Sequence, residues 1–148
     1  MKQPTQIVAK TDYIGRGAVV TVPQSIEPWH TRCLREQLLW LLNERLDEVV
    51  IDFTPTIACT SAMSEALERV YTRTRARGMG LSLVLDQDSP PAKALEASGL
   101  TRLLHVHADR GEAERGLRER AASRTRRGTG QDPNPVPPPR GGPVAKAS

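Results

Sequence analysis

The run Glu48-Val49-Val50-Ile51-Asp52-Phe53 constrains this chain more than any other stretch. It is short, apolar and β-branched, the sign of a central strand buried on both faces. The hydrophobic period changes on either side of it. Past Trp29, Leu34, Leu38, Leu41, Leu42 and Leu46 recur at three- and four-residue spacing, which marks an amphipathic helix. From about Ser61 to Arg77, Met63, Ala66, Leu67, Val70, Tyr71 and Thr74 form a second buried stripe, with Arg69, Arg73 and Arg77 on a solvated face. A buried strand between two helices implies α/β layering, with right-handed crossovers placing helices over a sheet.

The rest of the chain extends the same alternation. Gln6–Lys10 reads as a first strand, Tyr13–Gly17 as a turn or strand end, and Ala18–Val22 as a second strand. Leu81–Leu85 is the next strand, and Gly78 and Gly80 suit the helix stop before it. Ser89-Pro90-Pro91 opens a third helix that should stop at Ser98-Gly99. Leu103–Val106 is a short last strand, and Ala113, Leu117 and Ala121 give a weak stripe for a final helix. The expected fold is α/β: a mixed, mostly parallel sheet of about five strands covered by about four helices.

Charge separates this body from the end of the chain. The 148 residues hold 21 Lys and Arg against 17 Asp and Glu, a formal charge of +4. Five of the basic residues (Arg124, Arg126, Arg127, Arg140, Lys146) and one acid (Asp132) lie in 123–148. Residues 1–122 therefore carry 16 of each sign, which argues against specific nucleic-acid binding by the folded part. Six of the 12 prolines and four of the 11 glycines also fall in 123–148. The expected division is a domain over 1–122 and a disordered Pro/Gly/Arg-rich tail over 123–148, because such a tail buries too little to offset its ordering entropy.

Two cysteines give no disulfide framework, and Cys33 and Cys59 read as buried apolar thiols. The first residues, MKQPTQIVAK, lack an apolar signal core, and Leu38–Leu42 is far too short to span a membrane. A cytoplasmic protein without membrane insertion is expected.

The segment from Val50 to Ser61 carries the main chemical hint. A buried strand leads through a short loop to a helix whose start offers hydroxyls. Open α/β sheets place their sites at this carboxyl edge. Thr60 or Ser61 can cap the free N–H groups of the first turn. A phosphate on Ser61 would meet the positive end of the helix dipole and add close to two negative charges.

Three stretches give the chain a resemblance to the STAS domain family of bacterial anti-sigma factor antagonists, over about residues 5–120. Gln24-Ser25-Ile26-Glu27 resembles the family's G-x-L-D approach to its first helix. Val49 to Leu67 resembles the strand, loop and D-S-S-G helix start. Ser89-Pro90-Pro91 through Ser98-Gly99-Leu100 to Leu103-Leu104 resembles the S-P-x-x-x-x-L-x-x-S-G-L segment. The resemblance implies a STAS-like fold and a regulatory protein-binding module whose partner is an anti-sigma factor of the serine-protein kinase type. It implies control of sigma-factor release, ended by phosphorylation at Ser61, the position of the first serine of D-S-S-G. Thr60 replaces the family's acid, Ala62 its second serine and Met63 its glycine. Ser25, Glu27, Thr60, Ser61, Ala62, Met63 and Ser64 are the partner-binding residues this implies. The altered neighbours of Ser61 keep a second role open, a non-phosphorylated STAS scaffold or an accessory subunit of a regulatory or lipid-transport complex. Homodimerisation is also left open.

Other groups take plainer roles. His105-Val106-His107 places two imidazoles on one strand face, but no Cys or acid follows at a matching ligand spacing, so no metal is expected. His30 reads as a polar first-turn residue, and Asp86-Gln87-Asp88 as a cap for the third helix. No G-x-S-x-G elbow, phosphate-binding loop or H-E-x-x-H pair occurs, so neither enzyme activity nor a cofactor is expected.

Overall fold

The structure is a computed structural model that describes residues 8–58 and 60–129, with side chains to 123. Cys59, the first part of the expected opening strand and the tail beyond 129 lie outside the described residues.

The first strand, β1, is Lys10–Ile14, and β2 is Gly17–Thr21. They pair antiparallel, with Ile14 opposite Gly17. The expected Gln6–Lys10 strand is thus displaced toward the C-terminus. Gly15 has φ +59°, so Gly15-Arg16 closes a two-residue hairpin turn and fixes the register. The segment before β1 is held by a side chain. Buried Gln37 accepts the Val8 and Ala9 N–H groups through Oε1 at 2.9 and 3.0 Å and donates to the Ala9 carbonyl at 2.6 Å.

Helix α1, Pro28–Leu41, starts with proline in its first turn, and its His30 Nδ1 accepts the Glu27 N–H at 3.2 Å. Then follow β3 (Glu48–Asp52), α2 (Ala62–Ala76), β4 (Gly80–Val84) and α3 (Pro90–Ala97). The α3 cap is Ser89, whose Oγ accepts from the Ala92 N–H, and not the acidic run before it. The expected Leu103–Val106 strand is replaced by a one-turn helix, α4 (Leu100–Leu103), and a later strand, β5 (His105–His107). Gly99, at φ +84°, reverses the chain and starts that extra turn, which buries Leu100 and exposes Leu103. Helix α5, Arg110–Thr129, runs past the boundary expected at 122 and brings the helices among the described residues to five.

The sheet order is β1-β2-β3-β4-β5, with β1 antiparallel and every other neighbour parallel. Strand alternation divides the core in two. Ala18, Val20, Val49, Ile51, Leu81 and Leu83 meet Leu34, Leu38, Leu67, Val70, Leu95 and Leu100 on the face covered by α1 to α4. Val19, Val50 and Val84 meet Ala113 and Leu117 of α5 on the other. Each large buried aliphatic side chain contributes roughly 1.5–3 kcal/mol.

The α5 layer has few such side chains, and ion pairs supplement them. The Arg110 guanidinium donates to Glu114 at 2.6 Å, Asp12 at 2.8 Å and the Thr21 hydroxyl at 2.6 Å, and lies 3.4 Å from Asp52 Oδ2. Asp52 is 2% exposed. Its hydrogen bonds to the Glu114 carboxylate and then to that of Asp12 hold the Arg110 pKa above its ordinary value, against desolvation, so the group stays cationic. Replacing Arg110 with Met should lower unfolding free energy by about 1–3 kcal/mol in a urea titration, because it removes the cation beside a buried carboxylate.

Candidate functional site

The carboxyl ends of β2 and β3 continue into two loops that pair with each other. The Val22 N–H donates to the Asp52 carbonyl at 2.9 Å, extending the ladder past the strands. The Thr56 hydroxyl then donates to the Pro23 carbonyl at 2.9 Å and the Val22 carbonyl at 3.2 Å. The Ile57 N–H donates to Gln24 at 2.8 Å, and the Ile26 N–H to Ala58 at 3.1 Å. Ser25 and Ala58 thereby form an isolated parallel bridge. Asp52 Oδ1 shapes the turn below by accepting both the N–H and the hydroxyl of Thr54.

This pairing joins the loop that carries Ser25 and Glu27 into α1 to the loop that runs on through Ala58 toward Thr60, Ser61 and α2. Ser25, Glu27, Thr60 and Ser61 are all exposed. Ser61 already has helical backbone angles, φ −61° and ψ −20°, and its hydroxyl caps nothing. The expected side-chain cap is therefore not made. The Met63 and Ser64 N–H groups are taken instead by the Thr60 and Ser61 carbonyls, both at 3.0 Å, in a tight backbone turn. The Ser61 hydroxyl stays turned to solvent, with no hydrogen bond among the described residues.

Two sequence-derived site residues leave this surface. Met63 is fully buried in the core, and Ser64 is buried with its hydroxyl donating to the Ala94 carbonyl at 3.3 Å. Neither can touch a docking partner. The helical period decides this, because Met63 belongs to the same stripe as Ala66, Leu67 and Val70. Ala62, half-buried, lies at the rim. Cys33 is half-buried, where a buried thiol was expected.

Two apolar residues enter the surface that the sequence reading passed over. Ile57 is 60% exposed on the β3–α2 loop and Trp29 50% exposed on the first turn of α1. Trp29 Nε1 donates to Glu27 at 3.2 Å, and its ring lies 3.7 Å, centre to centre, from that of His30. Both positions had a signal. Ile57 is an apolar side chain inside a Thr/Pro loop, and Trp29 falls off the Leu34–Leu38 stripe.

No protein-family model and no curated protein matches the chain. Solved structures do. An anti-sigma factor antagonist from Mycobacterium paratuberculosis superposes with a TM-score of 0.66 at 16% identity, over 80% of this chain and 99% of the other. The protein TM1081 gives 0.64 at 10%, over 80% and 94%. The anti-sigma factor antagonist SpoIIAA, in its unphosphorylated form, gives 0.58 at 14%, over 80% and 96%. The chain thus has the STAS fold, that of anti-sigma factor antagonists. Among the described residues no helix is long and apolar enough to cross a membrane.

The division between surface and core is open to a direct check. Ile57→Ser and Trp29→Ser should each change the unfolding free energy, read by urea titration, by no more than about 0.5 kcal/mol. Met63→Ala should cost about 2–5 kcal/mol, as a cavity under α2.

Proposed function

We propose that the chain is a regulatory binding module of the cytoplasm, not an enzyme. It docks an anti-sigma factor of the serine-kinase type and so controls release of a sigma factor. The docking surface is Ser25, Glu27, Ile57, Thr60 and Ser61, with Trp29 and Ala62 at its edges. One observation carries this reading: the two loops are hydrogen-bonded into a single edge that presents an unengaged Ser61 hydroxyl beside exposed apolar side chains. Similar solved structures include anti-sigma factor antagonists, one of them in an unphosphorylated form.

The surface suits a switch for physical reasons. Paired loops lose little conformational freedom on docking, so exposed apolar area converts into affinity with a small ordering cost. Exposed aromatic and aliphatic anchors inside a polar rim are the usual carriers of binding energy. A phosphate on Ser61 would add about 1.5 to 2 negative charges at the start of α2. The helix dipole favours that charge within the free protein, while an apolar contact at Ile57 would have to desolvate it.

Incubation of the full chain with its kinase-type anti-sigma factor and ATP should add the mass of one phosphoryl group, and Ser61→Ala should abolish the gain. In calorimetric titration Ser61→Asp and Ile57→Asp should each bind at least about tenfold more weakly than wild type, a loss of about 1.4 kcal/mol. Equal affinity for Ser61→Asp together with no mass gain would leave a docking scaffold without the switch, the role that Thr60, Ala62 and Met63 around Ser61 would fit.

A further inference from the structure

We infer that His105, His107 and Glu112 form a binding site for one divalent transition-metal ion of the zinc class. The two histidines stand on one face of β5, because strand side chains alternate. The β4–β5 register sets His105 opposite Ser82 and His107 opposite Val84, and Val84 packs in the apolar cluster under α5. The histidines therefore face the α5 layer, across the sheet from α1 and α2.

The third donor comes from α5. The chain turns at Ala108-Asp109, and Asp109 Oδ1 accepts the Glu112 N–H at 2.8 Å. This bond fixes the first turn of α5 and brings Glu112 back over β5. Its Oε1 lies 2.9 Å from His107 Nδ1. The two imidazole rings meet edge to face, 4.4 Å between centres. One ligand atom from each of the three residues lies within 4.8 Å of the others. The acid that the strand's own spacing lacked is supplied by the helix that follows.

The geometry suits an ion. In a tetrahedral site, metal–nitrogen and metal–oxygen bonds near 2.0–2.2 Å put neighbouring ligand atoms roughly 3.3–3.6 Å apart. The His107–Glu112 pair, hydrogen-bonded at 2.9 Å, needs to open by only about 0.5 Å to admit the ion, and His105 is exposed and able to close on it by a change of rotamer. His107, 7% exposed, is the fixed member. Two imidazoles and one carboxylate favour zinc, nickel or copper over magnesium or calcium, which prefer all-oxygen sites. The adjacent cation does not oppose binding strongly, since Arg110 is engaged by Asp12, Asp52 and Glu114. Exposed His105 and Glu112 leave the remaining coordination positions to water. The bound ion would tie a three-residue edge strand to the start of α5, and this holds whether or not the partner reading does.

Calorimetric titration of the full, chelator-treated chain with zinc chloride should show one saturating equivalent, with no comparable heat from magnesium chloride. His105→Asn and Glu112→Gln, both exposed and so harmless to folding, should each weaken zinc at least about tenfold. His30→Asn, Cys33→Ser and Cys59→Ser should leave it unchanged. Zinc should also raise the thermal midpoint of wild type and not that of the two site variants. Non-saturating uptake by wild type, or undiminished affinity in both site variants, would overturn the site and leave a histidine–glutamate hydrogen bond.

Discussion

β3 is buried on both faces, and its two end carboxylates, Glu48 and Asp52, are paired with arginines of α5. Val49 and Ile51 enter one apolar cluster and Val50 the other, while parallel neighbours take up the strand's backbone groups on both edges. Helices must therefore close over both sides of the sheet. The chain meets the first side with α1 to α4 and returns for the second with α5. That second layer is thin in hydrocarbon. Ala113 and Leu117 supply its buried contacts, and Arg110 ties the helix to β1, β2 and β3 through Asp12, Thr21 and Asp52. Hydrophobic burial determines where α5 must go, and directional ion pairs determine how it sits.

The same strand creates the proposed docking edge. Its last residue, Asp52, turns the backbone through Thr54, and the following loop borrows hydrogen-bond partners from the loop after β2. Loop backbone at a surface would otherwise be satisfied by water and stay adaptable. Here it is satisfied by protein, so Ile57 and Ser61 are held in place without being buried. This partly apolar edge arises from continuation of the sheet's own ladder.

The sheet also keeps two chemistries apart. Hydroxyl and apolar groups gather where β2 and β3 run into α1 and α2. The imidazole and carboxylate groups gather on the α5 side, at the strand farthest from β1. An event at one place need not disturb contacts at the other, because the strands between them are packed on both faces.

Most of the architecture was legible because it is written in local periods. The 3.6-residue stripe of α2 and the apolar runs of β3 and β4 were placed to within a residue or two, while the stripe read through Leu46 overran α1, which ends at Leu41. Ser25, Glu27, Thr60 and Ser61 were named from the resemblance to the STAS family, and a stripe already contained Met63. The misread parts depend on contacts between distant residues or on elements too short to have a period. The displaced β1 follows from the turn at Gly15 and its pairing with β2, and α4 spans a single turn. The sequence by itself determined that this chain must layer helices over a mostly parallel sheet, since burial periodicity is a property of neighbours along the chain. Only the tertiary structure decided that Met63 is sealed while Ile57 is presented, and that Glu112 reaches His107, since those outcomes depend on which backbones approach one another in space.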